Sequence, residues 1–171
     1  MRGHRPAGRG RFAAVLLAAA LVLGLTAPVA GAAQSKRPLP RFVAVKAGEV
    51  NVRSGPGERY PIQWVLKRKH LPLQVIQEFD TWRKVRDWEG AVGWVHASTL
   101  TGRRSVIVTG QVRTLRRRPA RDAPAVAHAE PTVVGRLIAC RPGWCRVQVR
   151  GYRGWLKRGE FWGVRKGEMV K

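Results

Sequence analysis

The chain has 171 residues, with 33 Lys+Arg against 10 Asp+Glu and a formal net charge of +23. That length holds one domain or two small ones, and 44% hydrophobic residues is enough for a folded core, which excludes wholesale disorder. Charge this lopsided points to an anionic partner and leaves three classes open: nucleic acid, anionic lipid and anionic wall polymer.

The N-terminus narrows the choice. Arg2, Arg5, Arg9 and Arg11 form a basic leader without an acidic residue, residues 12–25 are apolar or glycine, and Ala30-Gly31-Ala32 offers small residues at a cleavage spacing. Basic region, apolar region and small-x-small site in that order predict a signal peptide over 1–32, cut after Ala32, with an uncleaved anchor or a hydrophobic N-terminal helix as the alternatives. The apolar run is shorter than the roughly 20 residues of a bilayer span. Export to the periplasm makes nucleic acid a poor ligand. The four leader arginines are a small part of the excess, so the mature chain stays strongly basic.

A short polar, proline-containing linker occupies 33–40, and an internal repeat follows it. Trp82-Arg83-Lys84-Val85 returns as Trp144-Cys145-Arg146-Val147, and Gly93-Trp94-Val95 as Gly154-Trp155-Leu156. Val52-Arg53-Ser54-Gly55-Pro56 is echoed by Leu115-Arg116-Arg117-Arg118-Pro119, and Val43-Ala44-Val45 by Val106-Ile107-Val108. The four matches come in order at one offset of about 62 residues, as a tandem duplication requires. The domains are therefore 41–104 and 105–171.

Within each repeat the segments are short, β-branched or aromatic, and separated by Gly, Pro and Asp, which predicts strands. No helical period runs through the mature chain. Along residues 82–88 the alternation puts Arg83, Val85 and Asp87 on one face and Lys84, Arg86 and Trp88 on the other. Val85 then faces the core and Trp88 stands outside between cations, unless a bulge breaks the alternation. The same strand of repeat two turns Val147 and Val149 inward and Arg146, Gln148 and Arg150 outward. A domain of about 60 residues buries too little surface to be more than marginal, so the copies are expected to pack on each other.

Asn51-Val52-Arg53-Ser54-Gly55-Pro56-Gly57, Tyr60-Pro61, Trp82-Arg83-Lys84-Val85 and Gly93-Trp94-Val95 together resemble the bacterial SH3-like domain. Repeat one carries the whole pattern, whereas repeat two keeps the Trp-x-x-Val and Gly-Trp-Leu halves and lacks Gly-Pro-Gly. The layout is similar to that of proteobacterial exported proteins with a leader and two such domains. The resemblance implies an all-β protein of two tandem small SH3-like β-barrels after the signal peptide. It also implies a cell-envelope setting, where many such domains bind peptidoglycan or accompany wall enzymes; a fold alone does not fix a function.

Gly55-Pro56-Gly57 predicts a tight loop, with Pro56 fixing φ and the glycines accepting positive φ. The loop presents Glu58, Arg59 and Tyr60 beside a strand, and structure and ligand binding explain it equally. Of the seven tryptophans, Trp82, Trp94, Trp144 and Trp155 recur at matched positions, which favours packing. Trp64 and Trp88 have no aromatic twin, which fits a ligand groove as well as it fits packing. Candidate groove residues are thus Arg53, Glu58, Arg59, Tyr60, Trp64 and Trp88, with Arg53 or Arg59 meeting carboxylates.

Cys140 and Cys145 flank Arg141-Pro142-Gly143-Trp144, a turn that sets them across a hairpin, and an even pair in an exported chain argues for a disulfide. A metal site would need His70, His96 or His128, none at ligand spacing from the pair, and a catalytic thiolate would need a free cysteine. No hydrolase, metalloprotease or phosphate-loop motif is present. Glu78, Asp80, Asp87 and Glu89 cluster, but they read as turn formers and partners of nearby cations rather than as a glycosidase pair. The candidate basic patch is Arg116, Arg117, Arg118, Arg146 and Arg150, making repeat two the electrostatic half and repeat one the groove-bearing half. The expectation is an exported binding protein, not an enzyme, with no cofactor and no metal, whose partner is peptidoglycan or another cell-envelope polymer. The alternatives are an adaptor docking an envelope protein and a charge-driven binder of anionic lipid or lipopolysaccharide.

Overall fold

The computed structural model describes residues 37–171. The predicted signal peptide lies outside them, as does most of the predicted linker. Among the described residues no helix is long and apolar enough to cross a membrane.

The first repeat forms β1 (Arg41–Val45), β2 (Val50–Arg53), β3 (Ile62–Leu66), β4 (Pro72–Phe79), β5 (Trp82–Arg86), β6 (Val92–His96) and β7 (Leu100–Thr101). The second forms β8 (Ser105–Val108), β9 (Arg113–Arg116), β10 (Ala125–Ala129), β11 (Val134–Arg141), β12 (Trp144–Val149), β13 (Tyr152–Lys157) and β14 (Phe161–Trp162). Each set makes one seven-stranded antiparallel sheet, ordered β3-β2-β6-β5-β4-β1-β7 and β10-β9-β13-β12-β11-β8-β14. The two orders are the same order, so the duplication seen in sequence is a duplication of topology.

Core positions repeat with it. Val52 and Leu115, Val85 and Val147, Val95 and Leu156 are all buried at equivalent places. The Gly-Trp glycines serve a close approach of backbones: a Cβ at Gly93 would lie 3.2 Å from the Arg53 carbonyl oxygen, and one at Gly154 3.2 Å from that of Arg116. Both glycines let β6 and β13 cross tightly over β2 and β9, as a curled sheet needs.

The ends of the two sheets are closed by different chemistry at one register position. In the first, Glu78 pairs across the strands with Arg83; its carboxylate also meets Arg41, and its side chain is only 5% exposed. In the second, the equivalent cross-strand pair is Cys140 and Cys145, and they form a disulfide. Gly143 takes the positive φ of the intervening turn. Of the clustered carboxylates, Asp80 sits in the β4–β5 turn with positive φ. Among the described residues Asp87 pairs with no cation; its buried Oδ1 accepts the backbone N–H groups of Glu89 and Ala91.

The copies pack on each other through β1 and β8. Residues 42–45 and all of β8 are buried, because each strand has its own core on one face and the neighbouring domain on the other. This is why both segments read as continuous apolar runs. Ile107 joins the core of the first sheet, with Val134 and Trp162 packed against it. The Trp162 ring meets Phe42 edge-on, centroids 4.7 Å apart. Arg104 lies 5.7 Å from the Phe42 centroid and forks onto Glu168 at 2.6 and 3.1 Å.

Burial alone would raise the Glu168 carboxyl. Hydrogen bonds from Arg104 and the Arg165 N–H, with both guanidinium charges, outweigh it and hold the group below its ordinary value. A depressed folded value stabilises above the unfolded pKa, and that contribution is lost as pH falls through the folded one. Glu168→Gln is therefore expected to lower stability near pH 7 and to converge with the parent chain in acid, as read from urea midpoints over a pH series.

Candidate binding surfaces

The loop of residues 54–61 is built from below. Arg53 Nη1 donates to the carbonyl oxygens of Glu58 (2.8 Å) and Tyr60 (2.7 Å). The Tyr60 ring lies over Gly55, where a Cβ would come within 2.6 Å of its Cγ, and Arg59 sits 5.3 Å from the ring centroid. Neither Gly55 nor Gly57 has a positive φ, so the expected reason for them is corrected: Gly55 provides room for an aromatic ring.

Repeat two keeps the loop although it lost the glycines. The bonds Ser54 N–H to Pro61, Gly57 N–H to Gly55 and Tyr60 N–H to Gly57 recur as Arg117 to Pro124, Ala120 to Arg118 and Ala123 to Ala120. Arg116 Nη1 donates to Ala123 at 2.8 Å, as Arg53 does to Tyr60. With Ala123 at the tyrosine position there is no ring to accommodate, and Arg118 replaces Gly55 without a clash. Arg117 and Arg118 stand exposed on this loop.

Trp64 and Trp88 are half-buried: each packs against the core of the first sheet and keeps part of its surface outside. Trp88 follows the end of β5, where the Asp87 turn breaks the alternation that would have turned it outward. Tyr60 is half-buried, while Glu58 and Arg59 are exposed at the loop tip.

The basic residues of repeat two gather on a different surface. Register partners across an antiparallel pair share a face, and the outward positions of β11, β12, β13 and β9 form three rows. They are Arg141–Trp144–Lys157, Ala139–Arg146–Trp155–Arg116 and Arg136–Gln148–Arg153. Every row holds two cations and none holds a carboxylate. Successive rows lie about 6.8 Å apart, two residues along a strand. Trp144 and Trp155 are half-buried among these cations, with Lys157 Nζ 5.8 Å from the first ring and the Arg141 guanidinium 5.5 Å from the second. The equivalent rows of the first sheet carry Arg53, Lys84 and Arg86 beside the buried Trp82 and Trp94.

Of the predicted basic patch, Arg116 and Arg146 lie on this face. Arg150 sits exposed in the β12–β13 turn with φ +45°. Arg136 and Arg141 join this face as well: five residues apart, they would alternate to opposite sides of β11, and the bulge between Leu137 and Ala139 brings them to one side. Among the described residues no group of three or more His, Cys, Asp or Glu could hold a metal ion.

Bacterial SH3 domain models match residues 46–102 and 111–163. The chain belongs to the bacterial SH3 domain family. Its two SH3 domains are the two sheets described above. Among curated proteins no match was found. Among solved structures the chain is similar to NlpC2 from Trichomonas vaginalis, at 12% identity over 75% of this chain and 50% of that one, with TM-score 0.35. NlpC1 from the same organism matches at 12% identity over 82% and 51%, TM-score 0.35. An NlpC/P60 family protein from Bacillus cereus ATCC 10987 matches at 13% over 72% and 56%, TM-score 0.33. The tandem SH3 chain spans about half the length of these structures.

Proposed function

We propose that this chain is an exported, non-catalytic binding protein of the cell envelope that holds an anionic wall polymer, peptidoglycan foremost, on the open face of its second SH3 domain. The observation that carries the reading is that face: six cations in three rows, no carboxylate, and two half-buried tryptophans between them. Arginine forks match carboxylates and phosphates in pairs, and flat rings suit the apolar faces of a ligand. The basic leader with its small-x-small site supports delivery to the compartment where such polymers lie.

The test is co-sedimentation of residues 33–171 with protein-free sacculi at low and high salt. The expected result is retention that weakens with salt, since exposed charges are screened beyond about 8 Å at physiological ionic strength. Arg146→Gln/Arg153→Gln is expected to weaken retention about tenfold, or ~1.4 kcal/mol. Arg117→Gln/Arg121→Gln removes the same charge from the loop and serves as the comparison. No retention at either salt, or equal loss in both variants, overturns the proposal.

A further inference from the structure

A cleft of about 310 Å³ lies where the two SH3 domains meet. That volume is at the small end of the range for small-molecule sites, and domain junctions are a preferred place for them. Its charged lining comes from three places: Arg68 and Lys69 between β3 and β4, Arg103 and Arg104 between the domains, and Arg136 on β11. No carboxylate lines it. Arg104 is matched by Glu168. Arg68 gives one N–H to the Thr132 carbonyl at 2.8 Å across the domain boundary. Among the described residues Arg68, Lys69, Arg103 and Arg136 enter no ion pair. Four unmatched cations around one concavity repel one another, and an anion between them removes that cost.

A second observation points the same way. Ser105 also lines the cleft and is 3% exposed, and among the described residues neither its buried Oγ nor the Nε of Arg104 has a hydrogen-bond partner. A buried polar group left unmatched costs about 1–3 kcal/mol, and native structures rarely leave one without a reason. The Arg104 Nε–H is a donor and the Ser105 hydroxyl can donate as well as accept, so one acceptor class answers both. Ser105 is the register partner of Arg136, so the two side chains share a face, and rotation about one bond re-aims the hydroxyl.

We infer that this interdomain cleft binds a small molecule carrying a phosphomonoester, of sugar-phosphate size. A phosphate offers three oxygens to converging donors and up to two charges, which answers four cations and two orphan donors better than a carboxylate does. The row Arg153–Gln148–Arg136 ends at Ser105 in the cleft. The phosphate could therefore belong to a free sugar phosphate or to the end of a chain on the open face.

The test is calorimetric titration of residues 33–171 with glucose 6-phosphate at physiological ionic strength, with glucuronate as the carboxylate comparison. Saturable one-to-one binding is expected, about tenfold tighter than for glucuronate. Ser105→Ala should weaken it about fivefold and Lys69→Gln/Arg103→Gln by more than tenfold, each checked for an unchanged melt. Arg117→Gln/Arg121→Gln should titrate like the parent chain. If instead phosphate-terminated chains bind while the free sugar phosphate gives no heat, the source is the polymer end, provided Ser105→Ala weakens that binding. No saturable binding of either, equal affinity for glucuronate, or cleft variants indistinguishable from the parent overturns the inference. The polymer reading fails separately: a chain that titrates with sugar phosphate but leaves sacculi in solution loses only the open face.

Discussion

Trp162→Ala is expected to turn one unfolding transition into two and to cost about 3 kcal/mol, the low end of the range for a truncated core tryptophan. Trp162 sits on the short final strand of the second domain, yet packs on the core of the first and meets Phe42 edge-on. An edge-to-face pair contributes about 0.5–1.5 kcal/mol beyond area alone. Each domain is small enough to be marginal by itself, so removing the ring both lowers stability and uncouples the halves. Urea denaturation read by far-UV circular dichroism should show a reduced slope for each of two steps. Trp155→Ala, on the open face, should cost less than half as much and keep a single step. One step with an unchanged midpoint in Trp162→Ala would refute the coupling.

Glu78→Ala is the second large effect, about 3–5 kcal/mol, because it takes the shared carboxylate from the Arg41 guanidinium and the Arg83 Nε, although Arg83 Nη1 keeps the Asp80 and Trp82 carbonyls. Arg41 and Arg83 are 18% and 14% exposed in their side chains and meet on that one carboxylate. Replacing all three, Arg41→Met/Glu78→Leu/Arg83→Leu, should recover most of the loss, since a well-packed apolar set matches or exceeds a buried ion cluster. In the second domain the same register position is a disulfide closing a short loop, which contributes roughly 2 kcal/mol in the chain-entropy account. In Trp162→Ala, where the halves melt apart, reductant should then shift the second-domain step alone, and in the parent chain it should lower the common melt. A triple variant no more stable than Glu78→Ala would count against the ion cluster as the cause.

Much of this was legible in the residues. The four ordered matches located both domains because a duplicated strand order keeps its core valines and close-approach glycines in register. Pro142-Gly143 fixed the hairpin that joins Cys140 to Cys145, since turn chemistry is local. The alternation argument placed Val85, Val147 and Val149 inward and Arg146 outward. Alternation ends before Trp88, a break the sequence leaves open, because the Asp87 carboxylate organises a turn there and pleat periodicity ends where the strand does. Repeat two lacks Gly-Pro-Gly in sequence, and nothing there shows the Arg116 bond that holds the same backbone. The cleft could not be read at all. Ser105, Lys69 and Arg136 come from three separate segments, and only the packing of β8 and Trp162 on the first domain brings them to one place.

The two loops, 54–61 and 117–124, share every backbone bond named above and almost none of their outward side chains. An arginine bracing each loop from beneath separates shape from lettering. The molecule thus carries a socket in duplicate, whose exposed residues can drift toward different partners while the strands around it stay under the old constraint. Exchanging the eight residues between copies, with Ala123→Tyr accompanied by Arg118→Gly, would move a chemical surface from one half to the other without asking either half to fold differently.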